Sequence, residues 1–567
     1  MGKLTLLVLN VLDSIMLFAD KIKNLIASIE RVSLVDDFSI NEAGWLSGRI
    51  LVDVEGEDPG LIWDVEIYST YPFKVMGYEP IKFRNKSLLA YPHIMQDGNL
   101  CMHPAEYENA DCQFIHDVEQ LKEWVDKYYI KKEEDDHYEH IVVSNYPIRD
   151  QFYTFCFAET QKDFMDGDYG NIQYTRLLNG YKQEKMVNNF IIQNFVSSKQ
   201  IKKNNNLCKI SQTYQKLPSY YGIYCILKDI PSIHNKFIIE DYDSIKDFFS
   251  QEQKDYIHTF VQLNERKAEY FPLLCGYRIP EGEIYWQAMM LFMNDLPIKP
   301  FYVGAGKYRI WHTDFKYGLI QWAQTENISY KYFFGRGSMP EKLIDKKVLI
   351  MGVGAIGSMV AETLTRCGAK YISLFDIDIK EPGNVCRSTY SFFTGITAKA
   401  LELSERLTQI SPHVECTILK SEVDLLLKLY ATECEGKRAI TDFLDEYDIV
   451  FDCTTDNQLM RLIDGSETKA QRINLSITNY AQDLICAISP NVVDTVQLVY
   501  SLLNRNTEMD MYNPTGCWSP TFKASYNDIS EKVHFAMKHI FKMLSNEEPS
   551  SSFYITEDEL NLKIHRL

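Results

Sequence analysis

Residues 347–387 read KVLIMGVGAIGSMVAETLTRCGAKYISLFDIDIKEPGNVCR, and this stretch decides the fold of the C-terminal part of the chain. A short apolar run at 348–351 leads directly into the glycine-rich segment GVGAIG at 352–357, and a second apolar run at 371–375 ends at Asp376. The residues between the two runs have the apolar spacing of a helix. Glycines let the backbone approach phosphate groups, and a helix N-terminus supplies N–H groups and partial positive charge. The stretch therefore predicts a strand–turn–helix–strand unit that binds a nucleotide.

Cations beyond Asp376 distinguish two classes of nucleotide-binding enzyme. A nicotinamide-dependent dehydrogenase would share the glycines and the acid, but it has no chemical need for Arg387 and Lys399. An enzyme that splits ATP needs fixed cations, because charge develops on the α-phosphate and on the leaving pyrophosphate. Asp456, just past the apolar run 448–451, can hold Mg²⁺, which prefers carboxylate and phosphate oxygens. The sequence favours ATP chemistry and keeps the dehydrogenase as an alternative.

This set of motifs resembles the ThiF-type adenylating domain of ubiquitin-activating enzymes. The resemblance implies a Rossmann-like α/β domain with ATP and Mg²⁺ as cofactors. It implies that Asp376 binds the ribose and that Asp456 holds the metal. In ThiF-type dimers an arginine from the region of Arg336 reaches the ATP of the neighbouring subunit. The remaining residues that the resemblance assigns to the nucleotide are Gly352, Gly354, Gly357, Asn384, Arg387 and Lys399, and Arg387 is also expected to act in catalysis.

The N-terminal part shows an α+β plan. Apolar residues recur at helical spacing from 15 to 29, and alternating strand-like runs follow at 50–55 and 63–68. An irregular segment then contains Cys101, and a helical pattern follows at 118–128. The order predicts a helix, antiparallel strands, a cysteine-bearing loop and a second helix.

This run resembles a ubiquitin-conjugating enzyme, in which a Gly-x-x-Cys cysteine carries the modifier as a thioester. Gly98-Asn99-Leu100-Cys101 supplies that motif, and His93 stands where the family has an asparagine that steadies an oxyanion. A histidine can donate one hydrogen bond to the same place, or it can simply brace the loop. Cys101 is expected to be the thioester nucleophile; the alternative is a buried structural cysteine, and Cys112 is a rival without the surrounding motif.

A second candidate nucleophile lies near the C-terminus, in the segment NPTGCWSPTF at 513–522. Its prolines and glycine argue against regular structure, so Cys517 is predicted to lie in a loop, where a thiolate is accessible. Activating enzymes use such a cysteine to take the acyl group from the adenylate. The alternative is a cysteine packed beside Trp518.

Composition limits the other possibilities. A chain of 567 residues suggests roughly three or four domains, and 46% hydrophobic and 13% aromatic residues suit folded cores. A net charge of −19 argues against a nucleic-acid or anionic-membrane surface, and no membrane span is recognised. The 13 cysteines are scattered and form no Cys-x-x-Cys pair, so no zinc site is indicated and reduced cytoplasmic thiols are expected.

Together, the two ends of the chain resemble the fused conjugating–activating enzymes of bacterial CBASS antiphage operons. The expected domains are 1–140 (ubiquitin-conjugating-like), 141–325 (a mixed linker without catalytic signature) and 326–567 (ThiF-type adenylating). The resemblance implies a homodimer that adenylates the C-terminus of a cGAS-like nucleotidyltransferase (CD-NTase), relays it through Cys517 and Cys101, and joins it to lysines of target proteins. Alternatives are an adenylating enzyme for a sulfur carrier, a dehydrogenase, and a binding scaffold with degenerate sites.

Overall fold

The computed structural model describes most of the chain and divides it into two compact units. The residues described are 18–57, 59–74, 79–95, 97–102, 109–133, 146–160, 164–198, 205–231, 239–279, 282–304, 309–419, 434–503, 511–512, 521–559 and 561–567. The first unit comprises residues 1–152, 161–169 and 223–324, and the second comprises 153–160, 170–222 and 325–567. The predicted linker 141–325 is thus shared between the two units, and the division into three domains stays a prediction.

The elements follow in chain order. The strands are β1 (Val32–Ile40), β2 (Leu46–Val52), β3 (Leu61–Ile67), β4 (Ile81–Arg84), β5 (Phe152–Phe157), β6 (Tyr169–Arg176), β7 (Gly180–Lys182), β8 (Lys185–Ser197), β9 (Asn205–Leu207), β10 (Tyr220–Ile226), β11 (Tyr270–Arg278), β12 (Ile284–Phe292), β13 (Ile298–Val303), β14 (Ile310–Phe315), β15 (Trp322–Asn327), β16 (Lys347–Met351), β17 (Tyr371–Phe375), β18 (Glu415–Leu419), β19 (Ile449–Asp452), β20 (Gln471–Thr478), β21 (Asp483–Ile488), β22 (Met511–Tyr512), β23 (Thr521–Phe522), β24 (Phe553–Asp558) and β25 (Asn561–Arg566).

The α-helices are α1 (18–27), α2 (Ala110–Trp124), α3 (Gln212–Gln215), α4 (Tyr242–Ile245), α5 (Gln251–Asn264), α6 (Tyr330–Phe333), α7 (Glu341–Ile344), α8 (Ala355–Arg366), α9 (Lys399–Ile410), α10 (Cys434–Leu444), α11 (Asn457–Asp464), α12 (Val492–Leu503) and α13 (Tyr526–Leu544). A π-helical segment, Val125–Ile130, continues α2 directly. Short 3₁₀ helices are Lys86–Leu88, Lys246–Phe248, Met293–Asp295 and Pro382–Arg387. In the described part of the chain, no helix has the length and apolar character needed to cross a membrane.

The first unit begins with the expected α+β arrangement. Strands β1 to β4 pair as an antiparallel sheet in chain order, and α1 and α2 bury their apolar faces in the same core as the sheet. Strand β1 is absent from the sequence-based prediction. Most of its residues are exposed, so no apolar alternation marks it in the sequence. Further along, β11 pairs with β10 in parallel and with β12 antiparallel, and every residue of β12 is buried.

The second unit contains an eight-stranded sheet in the order β18-β17-β16-β19-β20-β21-β24-β25. The first five strands are parallel, and the other three are antiparallel. Both faces are buried, since Val348 and Ile350 join one core with α8, α9 and α13, whereas Leu349 and Met351 join another with α10 and α11. A Rossmann-like α/β domain is therefore confirmed.

Strand β16 marks the point where the strand order changes direction. The chain runs from β16 outward through β17 to β18, and then returns to place β19 on the other side of β16. In open sheets of this kind, ligands bind at the carboxyl ends of the strands beside such a point. The fold thus positions the glycine turn at residues 352–357 where a nucleotide site is expected.

Candidate active sites

The carboxyl ends of three strands bring the predicted nucleotide residues to one edge of the sheet. Met351 at the end of β16 stands opposite Phe375 of β17 on one side and Asp452 of β19 on the other. The glycine turn, Asp376 and the segment before Asp456 all follow these three residues directly. We call the residues that follow β16, β17 and β19 the nucleotide edge.

Two glycines are required by the geometry of the turn. Gly352 has φ +77°, and a Cβ atom there would lie 2.7 Å from the Cα of Thr454. A Cβ on Gly357 would overlap the backbone oxygen of Gly352, so α8 can approach the end of β16 only with glycine at this position. Gly354 is the N-cap of α8 and offers no side chain to the first-turn N–H groups. The N-terminus of a 12-residue helix therefore presents backbone donors to an anion.

Asp376 is held against this turn. One of its carboxylate oxygens accepts the N–H of Val353 at 2.7 Å, and the other accepts the N–H of Asp378 at 2.8 Å. Burial raises the pKa of Asp376, although these hydrogen bonds and the nearby Lys399 oppose that shift. Each carboxylate oxygen has a second lone pair, so the side chain can still accept a hydrogen bond from a ribose hydroxyl.

The predicted phosphate ligands have local partners. Lys399 is mostly buried and forms an ion pair with Asp378, with 2.8 Å between Nζ and Oδ2. Asn384 accepts the N–H of Glu381 through Oδ1, which leaves its amide nitrogen as the donating group. Arg387 ends the 3₁₀ helix Pro382–Arg387 and is partly exposed. The ion pair with Asp378 uses one of three ammonium donors of Lys399, so the residue can contact a phosphate as well.

The acidic residues after β19 differ in role. Asp456 is exposed and caps α11, with Oδ1 accepting the N–H of Gln458 at 2.8 Å. Asp452 is buried, and burial raises its pKa; its oxygens accept hydrogen bonds from Thr454 and from the side chain of Asn474. Among the described residues, no group of three or more His, Cys, Asp or Glu side chains could hold a metal ion. Asp456 thus fits a Mg²⁺ ion only as one ligand beside phosphate oxygens and water.

A buried ion pair beside the nucleotide edge was missed by the sequence reasoning. Lys380 and Glu402 are 2% and 4% exposed and contact each other directly. Lys380 also donates to the carbonyl of Ser391 at 2.6 Å, and Glu402 accepts the N–H of Ser391 at 2.8 Å. The pair therefore fixes the segment that joins Arg387 to Lys399. A lysine that stands between the exposed Ile379 and Glu381 gives no sequence signal of burial.

Cys101 lies in a second candidate site, in the first unit. Its side chain is exposed, and its N–H donates to the carbonyl of His93 at 2.7 Å. Gly98 has φ +85°, and a Cβ there would lie 3.0 Å from the backbone nitrogen of Lys86. Glycine at position 98 is therefore needed for the close passage of this loop across the segment that follows β4.

His93 lies on the neighbouring stretch of the same loop. It has a left-handed backbone, φ 57°, and its Nε2 is 3.0 Å from the hydroxyl of Tyr128. Trp124 donates its indole N–H to the carbonyl of Pro92 at 3.0 Å. The side chain of His93 is thus held by the π-helical segment, and sequence spacing alone does not indicate this contact.

The other candidate residues are placed less completely. Cys517 lies outside the described residues, although strands β22 and β23 on either side of it pair with each other. Cys112 is exposed in the first turn of α2, and Arg336 is exposed between α6 and α7.

Comparisons with known proteins agree with the nucleotide edge. Residues 327–472 match the model of the ThiF family. The ATP-dependent ubiquitin transferase-like protein Cap2 of Enterobacter hormaechei is 26% identical over 288 residues, which are 48% of this chain and 46% of that protein. Ubiquitin-like modifier-activating enzyme 5 of Caenorhabditis briggsae is 37% identical over 78 residues, which are 14% of this chain and 18% of that protein. The chain thus spans about half, or less, of the curated relatives that it matches.

Among solved structures, Escherichia coli MccB in a crystal with AMPCPP and MccA is similar over 40% of this chain and 64% of its own, with 17% identity and a TM-score of 0.29. A score of this size supports no inference about the site. The family match and the Cap2 relatives, by contrast, agree with the recognition made from the motifs. This chain thus contains a ThiF family domain at residues 327–472 and is similar to Cap2.

Proposed function

We propose that this enzyme activates the C-terminal carboxylate of a partner protein with ATP, relays it through Cys517 and Cys101, and joins it to lysines of target proteins in antiphage defence. The proposed partner is a cGAS-like CD-NTase, and the enzyme acts as a homodimer in the bacterial cytoplasm. One observation carries the proposal: a phosphate-binding turn with nearby cations and an exposed cysteine on a braced loop occur in two separate compact units of one chain.

The first step takes place at the nucleotide edge. A carboxylate oxygen of the partner attacks the α-phosphorus of ATP, the bond to the β-phosphate breaks, and pyrophosphate leaves. The N-terminus of α8 holds phosphate oxygens, and Asp376 orients the ribose. Arg387 and Lys399 balance the charge on the α-phosphate and on the leaving group. Mg²⁺ bound by Asp456 and the phosphates would supply further positive charge there.

Three acyl transfers complete the reaction. The thiolate of Cys517 attacks the acyl carbon and AMP leaves; the thiolate of Cys101 then attacks and the thiolate of Cys517 leaves. A lysine amine of the target attacks the Cys101 thioester, and the Cys101 thiolate leaves as the amide forms. The exposure of Cys101 supports this last role, because the acyl group on Cys517 and then a target lysine must both reach the sulfur of Cys101. A sulfur-carrier enzyme would not need the Cys101 site.

Co-expression with the neighbouring genes tests this order. Intact-mass analysis and non-reducing gels would compare wild type with Cys101→Ala and Cys517→Ala in the presence of MgATP. We expect Cys101→Ala to accumulate a thiol-labile adduct on Cys517, and Cys517→Ala to accumulate none. The mass of the adduct would identify the partner. If ATP binds but no variant and no wild-type protein forms an adduct, the conjugation proposal fails and a scaffold role moves ahead.

A further inference from the structure

The loop that precedes Cys101 is held by one helical face. Pro92 receives the indole N–H of Trp124 at 3.0 Å, and the next residue, His93, contacts the hydroxyl of Tyr128 at 3.0 Å. The rings of His93 and Tyr128 are 4.9 Å apart between centroids. Two consecutive residues of the loop are thus attached to the end of α2 and to its continuation.

Two uncommon backbone features meet at this contact. Tyr128 belongs to the π-helical segment Val125–Ile130, and His93 has a left-handed backbone with φ 57°. Short π segments and left-handed non-glycine residues cost conformational energy, and they concentrate at functional sites. Tyr128 is only 8% exposed, so its hydroxyl is placed by packing as well as by the helix.

Lys127 determines how the tyrosine hydroxyl is used. Its ammonium donates a hydrogen bond to the hydroxyl oxygen of Tyr128 at 3.0 Å, and an ammonium cannot accept one in return. A phenol that accepts from a cation becomes a stronger donor and a weaker acceptor. The favoured arrangement therefore has Tyr128 donating to Nε2 of His93, which places the imidazole proton on Nδ1.

Cys101 is attached to His93 through the backbone. The carbonyl of His93 accepts the N–H of Cys101 at 2.7 Å, and Ile94 and Leu100 pair as a bridge just beyond it. The histidine and the cysteine thus stand side by side at the open end of one short turn, and Cys101 is an exposed residue. This hydrogen bond attaches the backbone of Cys101 to that of His93.

We propose that Tyr128, assisted by Lys127, is a positioning residue that fixes the tautomer of His93 so that its Nδ1–H stabilises the oxyanion formed at the Cys101 thioester. When an amine nitrogen bonds to the acyl carbon, the carbonyl electron pair moves to oxygen, and Nδ1–H donates to that oxygen. The intermediate collapses as the carbon–sulfur bond breaks, the Cys101 thiolate leaves, and solvent takes the amine proton. This inference rests on the proposed function, because it needs an acyl group on Cys101.

The tautomer can be measured without any acyl group. The full chain labelled with ¹⁵N-histidine would be compared with Tyr128→Phe, and His93→Asn would assign the His93 signals by their loss. We expect wild type to carry the proton on Nδ1 and Tyr128→Phe to shift toward the Nε2–H form. Tyr129→Phe is the matched control, since Tyr129 lies in the same π segment but donates to Glu57 at 2.7 Å. A wild-type Nε2–H tautomer, or no change in Tyr128→Phe, would overturn the inference.

Reactivity is tested with a small acyl probe. Phenyl thioacetate would acetylate the exposed cysteines, and peptide mass spectrometry would follow discharge of acetyl-Cys101 to free L-lysine, with acetyl-Cys112 as the internal reference. We expect Tyr128→Phe to slow discharge from Cys101 about tenfold, part of the roughly 10²–10³-fold loss that removal of a whole oxyanion donor causes. Lys127→Met should slow it about threefold by the same weakening of the hydrogen bond, and Tyr129→Phe should leave it unchanged.

A double variant separates positioning from simple bracing. The amide of asparagine donates without a choice of tautomer, so in a His93→Asn background Tyr128→Phe should have no further effect on discharge. If Tyr128→Phe slows discharge equally in both backgrounds, Tyr128 only braces the loop and the inference is wrong. If the probe behaves as expected while co-expression yields no adduct on Cys101, the conjugation proposal fails and the positioning of His93 stands.

Discussion

The nucleotide edge and the Cys101 loop are built in opposite ways. At the nucleotide edge, the residues follow strand ends directly, and backbone groups make most of the contacts with the turn. At the Cys101 loop, side chains from a helix about 30 residues further along hold a stretch with no regular structure. The first kind of site depends on glycines and sheet register, and the second depends on individual hydrogen bonds. Each should therefore fail in its own way when single residues are changed.

The largest effect is expected at Gly357. Alanine usually stabilises a helix interior relative to glycine, but here the new methyl group would overlap the backbone oxygen of Gly352. We expect Gly357→Ala to lower the melting temperature and to abolish ATP binding in calorimetry. The loss in free energy of unfolding should exceed the value typical of overpacking, about 1–3 kcal/mol. Gly383→Ala is the control, because a Cβ there meets nothing within 4 Å. Retained ATP binding in Gly357→Ala would contradict the close approach of α8 to β16.

The buried pair beside the nucleotide edge should come next. Removing the ammonium with Lys380→Met leaves Glu402 buried and unpaired, which typically costs about 3–5 kcal/mol. Lys370→Met, which breaks a more exposed pair with Asp345, should cost at most about 1 kcal/mol. Urea denaturation of the two variants measures the difference. A double variant, Lys380→Met with Glu402→Leu, should recover most of the loss; equal costs for the two single variants would refute the role of burial.

A smaller effect is expected at the Cys101 loop. Trp124→Phe removes the donor to the partly buried carbonyl of Pro92, and loss of such a hydrogen bond costs about 0.5–1.5 kcal/mol. Because only a loop is released, we expect alkylation of Cys101 by iodoacetamide to accelerate a few-fold while ATP binding stays unchanged. Cys112 in the same molecule is the reference thiol. Unchanged alkylation of Cys101 would mean that other contacts suffice to hold the loop.

The smallest effect concerns the pH dependence of the second unit. Both ring nitrogens of His413 contact carbonyl oxygens, of Lys209 at 3.2 Å and of Ile328 at 2.7 Å, yet burial lowers its pKa. The unfolded chain then binds a proton at pH values where the folded chain does not. Stability is thus full above the unfolded pKa of about 6.5 and is lost as the pH falls through the folded value, by at most about 1.4 kcal/mol per pH unit.

Denaturation at pH 7.5 and 5.5 would test this direction. We expect His413→Gln to flatten the pH dependence, whereas a change at the exposed His534 should leave it as in wild type. A steeper loss of stability on acidification in His413→Gln than in wild type would contradict the assignment.

The same contrast explains what the sequence could predict. Strands β16 and β17, the turn and Asp376 were predicted almost to the residue, because one continuous stretch carries the whole pattern. The partner of Lys380 lies 22 residues away, and that of His93 lies 35 residues away. In a sequence, neither a lysine nor a tyrosine indicates whether its side chain is buried or which residue it contacts. The π-helical segment likewise has no pattern that separates it from an α-helix, and α2 was predicted to continue to residue 128.

The length of the π-helical segment can be compared across relatives. An α-helix advances about 100° per residue, so deletion of one residue from Val125–Ile130 would restore regular winding and turn every later side chain by about that angle. Tyr128 would then face away from His93. In an alignment, a one-residue gap at this position should therefore coincide with the loss of histidine opposite the cysteine, so that the helix and the loop change together in evolution.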